Sequence, residues 1–275
     1  MALRFSKMHG IGNDFVVLDR RADPGPLDPA LVRAIADRHT GVGFDQLLAL
    51  EPPRTPGSVA AYRIYNGDGS EARQCGNGLR CLVAWLHRER PLAGAVRLDG
   101  PAGPVACEVL ASGEVRADMG VPRFAPRDVP FLADAEADAY PLQAGGESVS
   151  VGIASMGNPH AVLEVPDVDA ADVARLGPAI ERHPRFPDRA NVGFAQVVDR
   201  HAIRLRVFER GAGETRACGS GACAAAAVLL RRGRVASPLA VTLPGGTLRI
   251  DWAGGDAPLA MTGPATFVFE GTWNP

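Results

Sequence analysis

Short apolar and β-branched runs, cut off by glycine, proline or aspartate, recur along the chain and predict strands over residues 15–19, 60–65, 95–99, 115–119, 161–165, 203–208, 248–252 and 266–270. Four segments are patterned as helices instead. In the first, Asp28 suits the N-cap and Pro29 the N1 position, while Leu31, Val32 and Ile35 fall on one face. A second covers residues 172–183 and contains Pro178, which predicts a bend. The other two, residues 79–86 and 222–230, are apolar on nearly every side, the mark of a buried helix. Arg231 and Arg232 suit the negative C-terminal end of the last helix, and Gly233 suits its C′ position.

The pattern occurs twice. Glu71-Ala-Arg-Gln-Cys75-Gly-Asn-Gly78 returns as Glu214-Thr-Arg-Ala-Cys218-Gly-Ser-Gly221, and the same offset of 143 carries Arg63-Ile-Tyr65 onto Arg206-Val-Phe208. Earlier, Gly12-Asn13 and Val17-Leu18-Asp19 match Gly157-Asn158 and Val162-Leu163-Glu164 at an offset of 145, which Leu31 and Ile35 keep against Leu176 and Ile180. Val42-Gly-Phe-Asp-Gln46 matches Val192-Gly-Phe-Ala-Gln196 at an offset of 150, which predicts a short insertion in the 184–190 loop. Met119 and Pro122 match Met261 and Pro264. Blocks in one order with small changes of length mark an internal duplication. The expected fold is α+β, with two pseudo-symmetric domains that each wrap a mostly antiparallel β-sheet around one central helix. Residues 1–119 carry Cys75, residues 120–264 carry Cys218, and residues 265–275 return to the first domain. At 275 residues the chain can bury a core in each.

Hydrophobic residues make up 46% of the chain and charged residues 22%, and a net charge of -2 offers no excess of positive charge to nucleic acid or an anionic membrane. The N-terminus lacks the apolar core of a signal peptide, and the longest fully apolar run, 222–230, is too short to span a bilayer. A cytoplasmic location follows as the expectation, with the five cysteines mostly reduced. The expected partners are a small-molecule substrate and, at most, a second copy of the chain as a homodimer, with neither nucleic acid nor membrane.

Two cysteines in duplicated motifs point to inversion of a carbon that carries an acidic hydrogen, which needs a base on one face and an acid on the other. Each motif precedes a buried helix, whose N-terminus presents a thiol and free backbone N–H groups. The amides of Gly76, Asn77, Gly219 and Ser220 suit a substrate carboxylate, whose growing negative charge must be held by fixed donors in a dry site. Glycines there permit a close backbone approach. The positive helix ends are expected to bring both thiols from about 8.5 toward neutrality. Two thiolates at short range repel, so the working state holds one thiolate and one thiol, titrating as a coupled pair.

Cys81, Cys107 and Cys223 read as small buried hydrophobes. A zinc site wants CxxC-like pairs with histidine support, and the spacings from Cys75 to Cys81 and from Cys218 to Cys223 do not fit, so no metal is expected. A cysteine hydrolase using one thiol with His160 is the alternative of a different class, and it leaves the second thiol without a task. Pyridoxal phosphate, the usual means of acidifying an amino-acid α-hydrogen, needs a lysine. The single lysine, Lys7, lies in the opening strand with no companion glycine-rich phosphate loop, so no cofactor is expected.

Gly12-Asn13-Asp14-Phe15, Gly43-Phe-Asp-Gln46, Asn66-Gly-Asp-Gly-Ser-Glu71, Gln74-Cys-Gly-Asn-Gly78, Gly157-Asn-Pro-His160, Asn191-Val-Gly-Phe194, and Glu209-Arg210 leading to Ala217-Cys-Gly-Ser-Gly221 together resemble the diaminopimelate epimerase family over nearly the whole chain. The resemblance implies cofactor-independent interconversion of LL- and meso-diaminopimelate, in lysine and cell-wall biosynthesis, with Cys75 and Cys218 as the acid/base pair. It implies that Asn13, Gln46, Asn66, Asn158, Asn191 and Arg210 hold the substrate, and that Gly76, Asn77, Gly219 and Ser220 sit at the reacting carboxylate. His160 and Glu209, the latter also a substrate contact, are implied to stand beside the thiols and adjust their protonation. Without the resemblance, Asn13 and Asn158 are ordinary turn asparagines, His160 is a structural histidine, and Glu209 with Arg210 is a surface pair. An arginine that grips a carboxylate bidentately is, however, what a dicarboxylic substrate needs. Leu79 departs from the family pattern, which commonly has alanine after Cys-Gly-Asn-Gly. Similar proteins with the same two-thiol chemistry act on proline or hydroxyproline, which makes a racemase of that type the runner-up, and another branch isomerises unrelated acids.

Overall fold

The structure, a computed structural model, describes residues 2–274. They fall into two compact units, one made of the residues up to Asp118 with those from Thr262 on, the other of Met119–Met261. Both units carry the same ladder of strands. In the first, Asn13–Asp19 pairs antiparallel with Leu3–Gly10 and parallel with Gln46–Glu51. Gln46–Glu51 runs antiparallel to Ala60–Asn66, which pairs antiparallel with the short Glu71–Ala72 and parallel with Ala95–Gly100. In the second unit Pro159–Glu164 pairs antiparallel with Glu147–Ser155 and parallel with Asn191–Asp199. Asn191–Asp199 is antiparallel to Ala202–Glu209, which pairs antiparallel with Gly213–Thr215 and parallel with Leu239–Leu243. The closing strand Thr266–Trp273 lies antiparallel against Leu3–Gly10, within the first unit.

Parallel neighbours need a crossover, and a helix supplies each one. Helices α1 (Pro29–Ala36) and α2 (Gly76–Glu89) cross over in the first unit, α3 (Val173–Glu181) and α4 (Gly219–Arg231) in the second. The caps follow the sequence: Asp28 accepts from Ala30 N at 2.8 Å with Pro29 opening α1, and Asp172 accepts from Arg175 N at 3.2 Å ahead of α3. Gly233 closes α4 at φ 67°, donating to Leu230 O at 3.0 Å. None of the four is long and apolar enough to cross a membrane.

Both faces of the central strands are covered. In the first unit Val16, Leu18, Leu47 and Ala49 pack with Val32 and Ile35 of α1, while Phe15 and Leu48 turn the other way, against Gly78 of α2. Burial on both faces explains why 15–18 reads as an unbroken apolar run and why Gln46–Glu51, with neither alternation nor β-branched residues, is not among the predicted strands. The segment 79–86 is not wholly apolar inside. Arg80 is fully buried in α2, and its guanidinium donates to Gly76 O and Pro264 O, each at 3.3 Å. Main-chain carbonyls thus accept from a cation that an apolar pocket would expel.

Strand register corrects one element of the repeat. Phe15 pairs with Gln46 and His160 with Asn191, so the offset of 145 (160 less 15, 191 less 46) holds across the helix, and Gln46 corresponds to Asn191, not to Gln196. The Val-Gly-Phe match at 150 is coincidental: Phe44 precedes its strand, whereas Phe194 lies inside one. The predicted insertion in the 184–190 loop is absent.

Candidate active site

Each unit assembles the same parts: a Gly-Asn turn, the first row of the ladder, and a cysteine as N-cap of the second helix. In the first unit Cys75 has extended backbone (φ -154°, ψ 100°), and its half-buried sulfur accepts from Gly78 N at 3.4 Å. Its Sγ lies 3.9 Å from Asn13 Oδ1, which also accepts from Asn77 Nδ2 at 3.3 Å. Asn13 is oriented from behind, its Nδ2 donating to Asp45 Oδ2 at 2.8 Å. Arg38 binds Asp45 Oδ1 at 2.9 Å and Asp14 Oδ1 at 2.8 Å, and Lys7 binds Asp14 Oδ2 at 2.5 Å. Burial acts to raise the Asp14 carboxyl, but Arg38 and Lys7 outweigh it and hold the group well below the usual carboxylate range. The Lys7 ammonium is thereby committed to Asp14 and to Gly43 O. Gln46 and Asn66 face each other across the ladder, Gln46 Nε2 donating to Asn66 Oδ1 at 3.0 Å. Arg38 supports the site from outside every motif, and Asp45 does so from within Gly43-Phe-Asp-Gln46, of which only Gln46 reads as a site residue in the sequence.

In the second unit Cys218 caps α4 and is buried. Its S–H donates to Glu209 Oε2 at 3.1 Å, and Ser220 Oγ lies 3.7 Å from the sulfur. Asn158 Nδ2 donates to Ser220 Oγ at 3.3 Å, and His160 Nε2 lies 3.0 Å from Asn158 Oδ1. With that carbonyl oxygen accepting, Nε2 carries the proton. Asn191 accepts from Arg210 N at 3.0 Å and donates to Pro159 O at 3.1 Å. The exposed Arg210 side chain reaches Asp188 O at 2.9 Å. Glu209 thus stands beside a thiol, whereas His160 makes its hydrogen bond to Asn158.

The protonation of Cys218 departs from the lowering expected at a helix end. Burial pushes Cys218 well above the ordinary thiol range, and the Glu209 charge and hydrogen bond push the same way, against smaller opposing contributions from Gly221 N–H and Ser220. His160 is forced down to about 3, first by burial and then by Arg210, so it is a neutral imidazole at physiological pH. Burial is the main cause that carries Cys81 and Cys107 up to about 12, against Arg80 and with Cys75 at the first and with Asp118 at the second, the behaviour of inert core thiols.

The last glycine of each motif has a packing role. A Cβ on Gly78 lands 2.9 Å from Leu48 Cδ2 and 3.2 Å from Phe15, and one on Gly221 lands 3.1 Å from Val207 Cγ2 and 3.2 Å from Cys218 Sγ. These glycines seat each helix on its sheet by close helix–strand contact.

The family model described as diaminopimelate epimerase matches residues 5–125 and 152–268 of the chain. A diaminopimelate epimerase of Xanthomonas axonopodis pv. citri is 56% identical over 99% of this chain and 96% of its own length, and one of Stutzerimonas stutzeri is 52% identical over 98% and 99%. Among solved structures the fold is shared with a Bacillus anthracis phenazine biosynthesis protein of the PhzF family (15% identity, TM-score 0.71, 100% of both chains). It is shared too with a hydroxyproline epimerase from Agrobacterium vitis with bound trans-4-hydroxy-L-proline (17% identity, TM-score 0.71, 99% of this chain and 91% of that one).

Proposed function

The chain belongs to the diaminopimelate epimerase family, and we propose that it interconverts LL- and meso-diaminopimelate by two-base proton transfer between Cys75 and Cys218. The observation that carries the mechanism is the unlike setting of two equivalent thiols. Cys218 is buried and donates to a carboxylate oxygen 3.1 Å away, while Cys75 is half-buried and has a neutral amide oxygen, Asn13 Oδ1, at 3.9 Å. Cys218 is therefore the acid of the resting enzyme and Cys75 the thiolate. Cys75 takes the α-hydrogen, the C–H electron pair moves into the substrate carboxylate, and Cys218 delivers its proton to the opposite face of the carbon. The reverse direction exchanges the roles. The N-terminal amides of α2 and α4, at Gly76, Asn77, Gly219 and Ser220, hold the carboxylate while it carries the extra charge.

Asn13, Gln46, Asn66, Asn158, Asn191, Glu209 and Arg210 bind the remainder of the substrate. Arg210 and the amides of Asn66 and Asn191 suit a second amino-acid head, which must be paired once desolvated. No cofactor enters this scheme, and its place is cytoplasmic synthesis of lysine and of cell-wall precursor. A racemase acting on proline is the competing function, favoured only by the shared fold of distant relatives. The test is incubation of the pure protein in deuterated buffer with LL-diaminopimelate and, separately, with proline, following α-hydrogen exchange by NMR. Exchange and epimerisation of diaminopimelate alone are expected, and Cys75→Ala and Cys218→Ala should each abolish turnover. Equal racemisation of proline overturns the substrate, and full activity of either variant overturns the mechanism.

A further inference from the structure

Resting on the two-thiol mechanism, we propose that Thr215 is a positioning residue for it: its hydroxyl clamps the Glu209 carboxylate and so aims the second oxygen at Cys218. Thr215 Oγ1 donates to Glu209 Oε1 at 2.5 Å while Oε2 accepts from Cys218 Sγ at 3.1 Å. One carboxylate is thereby held at both oxygens, and its rotamer is fixed by a residue that touches neither the thiol nor, in this scheme, the substrate.

The duplication supplies an internal control. Val207 pairs with Thr215 as Ile64 pairs with Ala72, both pairs related by 143, so Ala72 occupies the place of Thr215. The same offset sets Asn66 in the place of Glu209. Where the carboxylate is absent the hydroxyl is absent too: Asn66 takes its partners from Gln46 at 3.0 Å and Ser70 at 3.1 Å. A threonine kept merely for strand propensity would have no reason to appear in one repeat and not the other, whereas a clamp is needed only where there is a carboxylate to aim. The charged groups on the neighbouring elements have partners of their own. Arg210 is next in the chain with its side chain on Asp188 O, and Arg206 and Glu214 pair with each other at 2.6 Å. Glu181, at the end of α3, binds Gly211 N at 2.9 Å, and His160 is neutral and bonded to Asn158. Ser220 and the Gly221 N–H also stand at the Cys218 sulfur.

With the clamp gone, Oε1 loses its Thr215 donor, the rotamer is less firmly set, and the hold of Oε2 on the Cys218 proton weakens. The experiment is alkylation of Cys218 by iodoacetamide as a function of pH, read by peptide mapping on the whole protein, so that it needs no turnover. Thr215→Val should move the inflection to lower pH by roughly one unit, Thr215→Ser should stay close to the unmodified protein, and Thr215→Val placed on Glu209→Gln should add nothing further. Thr215→Ala serves in place of the valine variant should that fail to fold. An unmoved or raised inflection in Thr215→Val, a serine variant that moves as far, or a full further shift in the double variant each overturns the clamp. A labelling shift in a protein that epimerises diaminopimelate without Cys218 would leave the clamp standing and remove the two-thiol mechanism instead.

Discussion

Glu209→Gln tests the electrostatic core of the site. The substitution keeps the shape and leaves an amide in place of the carboxylate that accepts from Cys218 at 3.1 Å. Burial, the largest cause of the raised Cys218 titration, is untouched, while the charge and the charge-assisted hydrogen bond are both lost. A hydrogen bond to a charged group contributes about 1.5–3 kcal/mol, and each pKa unit corresponds to about 1.4 kcal/mol, so Cys218 should titrate roughly one to two units lower. It stays above the ordinary range because desolvation remains. In the proposed scheme catalysis needs one thiol and one thiolate, so kcat/KM against pH should be bell-shaped, its lower limb set by formation of the first thiolate and its upper limb by loss of the second proton. The second proton belongs to Cys218. The upper limb should accordingly move down by those one to two units, with the lower limb nearly fixed, in assays run with LL- and with meso-diaminopimelate. Because the enzyme cannot alter the equilibrium between the isomers, kcat/KM must change by the same factor in both directions. An upper limb that stays in place or moves to higher pH would refute the assignment of Cys218 as the resting acid.

Arg210→Met should lower kcat/KM for diaminopimelate by about 10- to 100-fold through loss of the far carboxylate contact, and α-hydrogen exchange of smaller amino acids by the intact thiols should no longer be disfavoured relative to it. A variant with unchanged steady-state kinetics would remove Arg210 from the binding set. Gly78→Ala forces a methyl to 2.9 Å from the buried Leu48. Overpacking of about 1–3 kcal/mol, partly offset by about 1 kcal/mol of helix propensity, should lower the melting temperature by a few degrees in calorimetry. Gly221→Ala puts its methyl 3.2 Å from Cys218 Sγ, so activity should fall more than stability, and equal retention of both would count against the seat assigned to that glycine.

What the sequence shows about this fold is what depends on local spacing. The N-cap role of Asp28, the C′ role of Gly233 and the placement of both motif cysteines at helix starts follow from residue identity within one turn. What it hides is set by partners far along the chain. Arg80 looks like a surface residue until Pro264 O, 184 positions away, is brought to its guanidinium. The Asp45–Asn13 contact spans 32 positions, and although each residue lies in a motif, neither motif says that the two meet. The false match at Val192-Gly-Phe arose because identity of short apolar strings carries little information, whereas register is fixed by which side chains enter the core. The same 143 offset that relates the two cysteines sets Thr215 over Ala72, a difference between the repeats that is legible in the sequence.

The disagreements between the repeats carry the chemistry. The ladder that sets Phe15, Gln46 and Asn66 in one unit sets His160, Asn191 and Glu209 in the other, so each titratable member of that row belongs to the second unit. Two identical thiols titrating independently would spend at most about half their population in the singly ionised state, divided equally between two forms that act in opposite directions. In the proposed scheme, moving Cys218 up by burial and a clamped carboxylate favours the form in which Cys218 keeps its proton and Cys75 is the thiolate. Duplication supplies opposed groups for inverting a carbon, but an enzyme left fully symmetric would lack a defined resting proton. One carboxylate in the second repeat, with asparagine in its place in the first, supplies that definition at the cost of a single raised pKa.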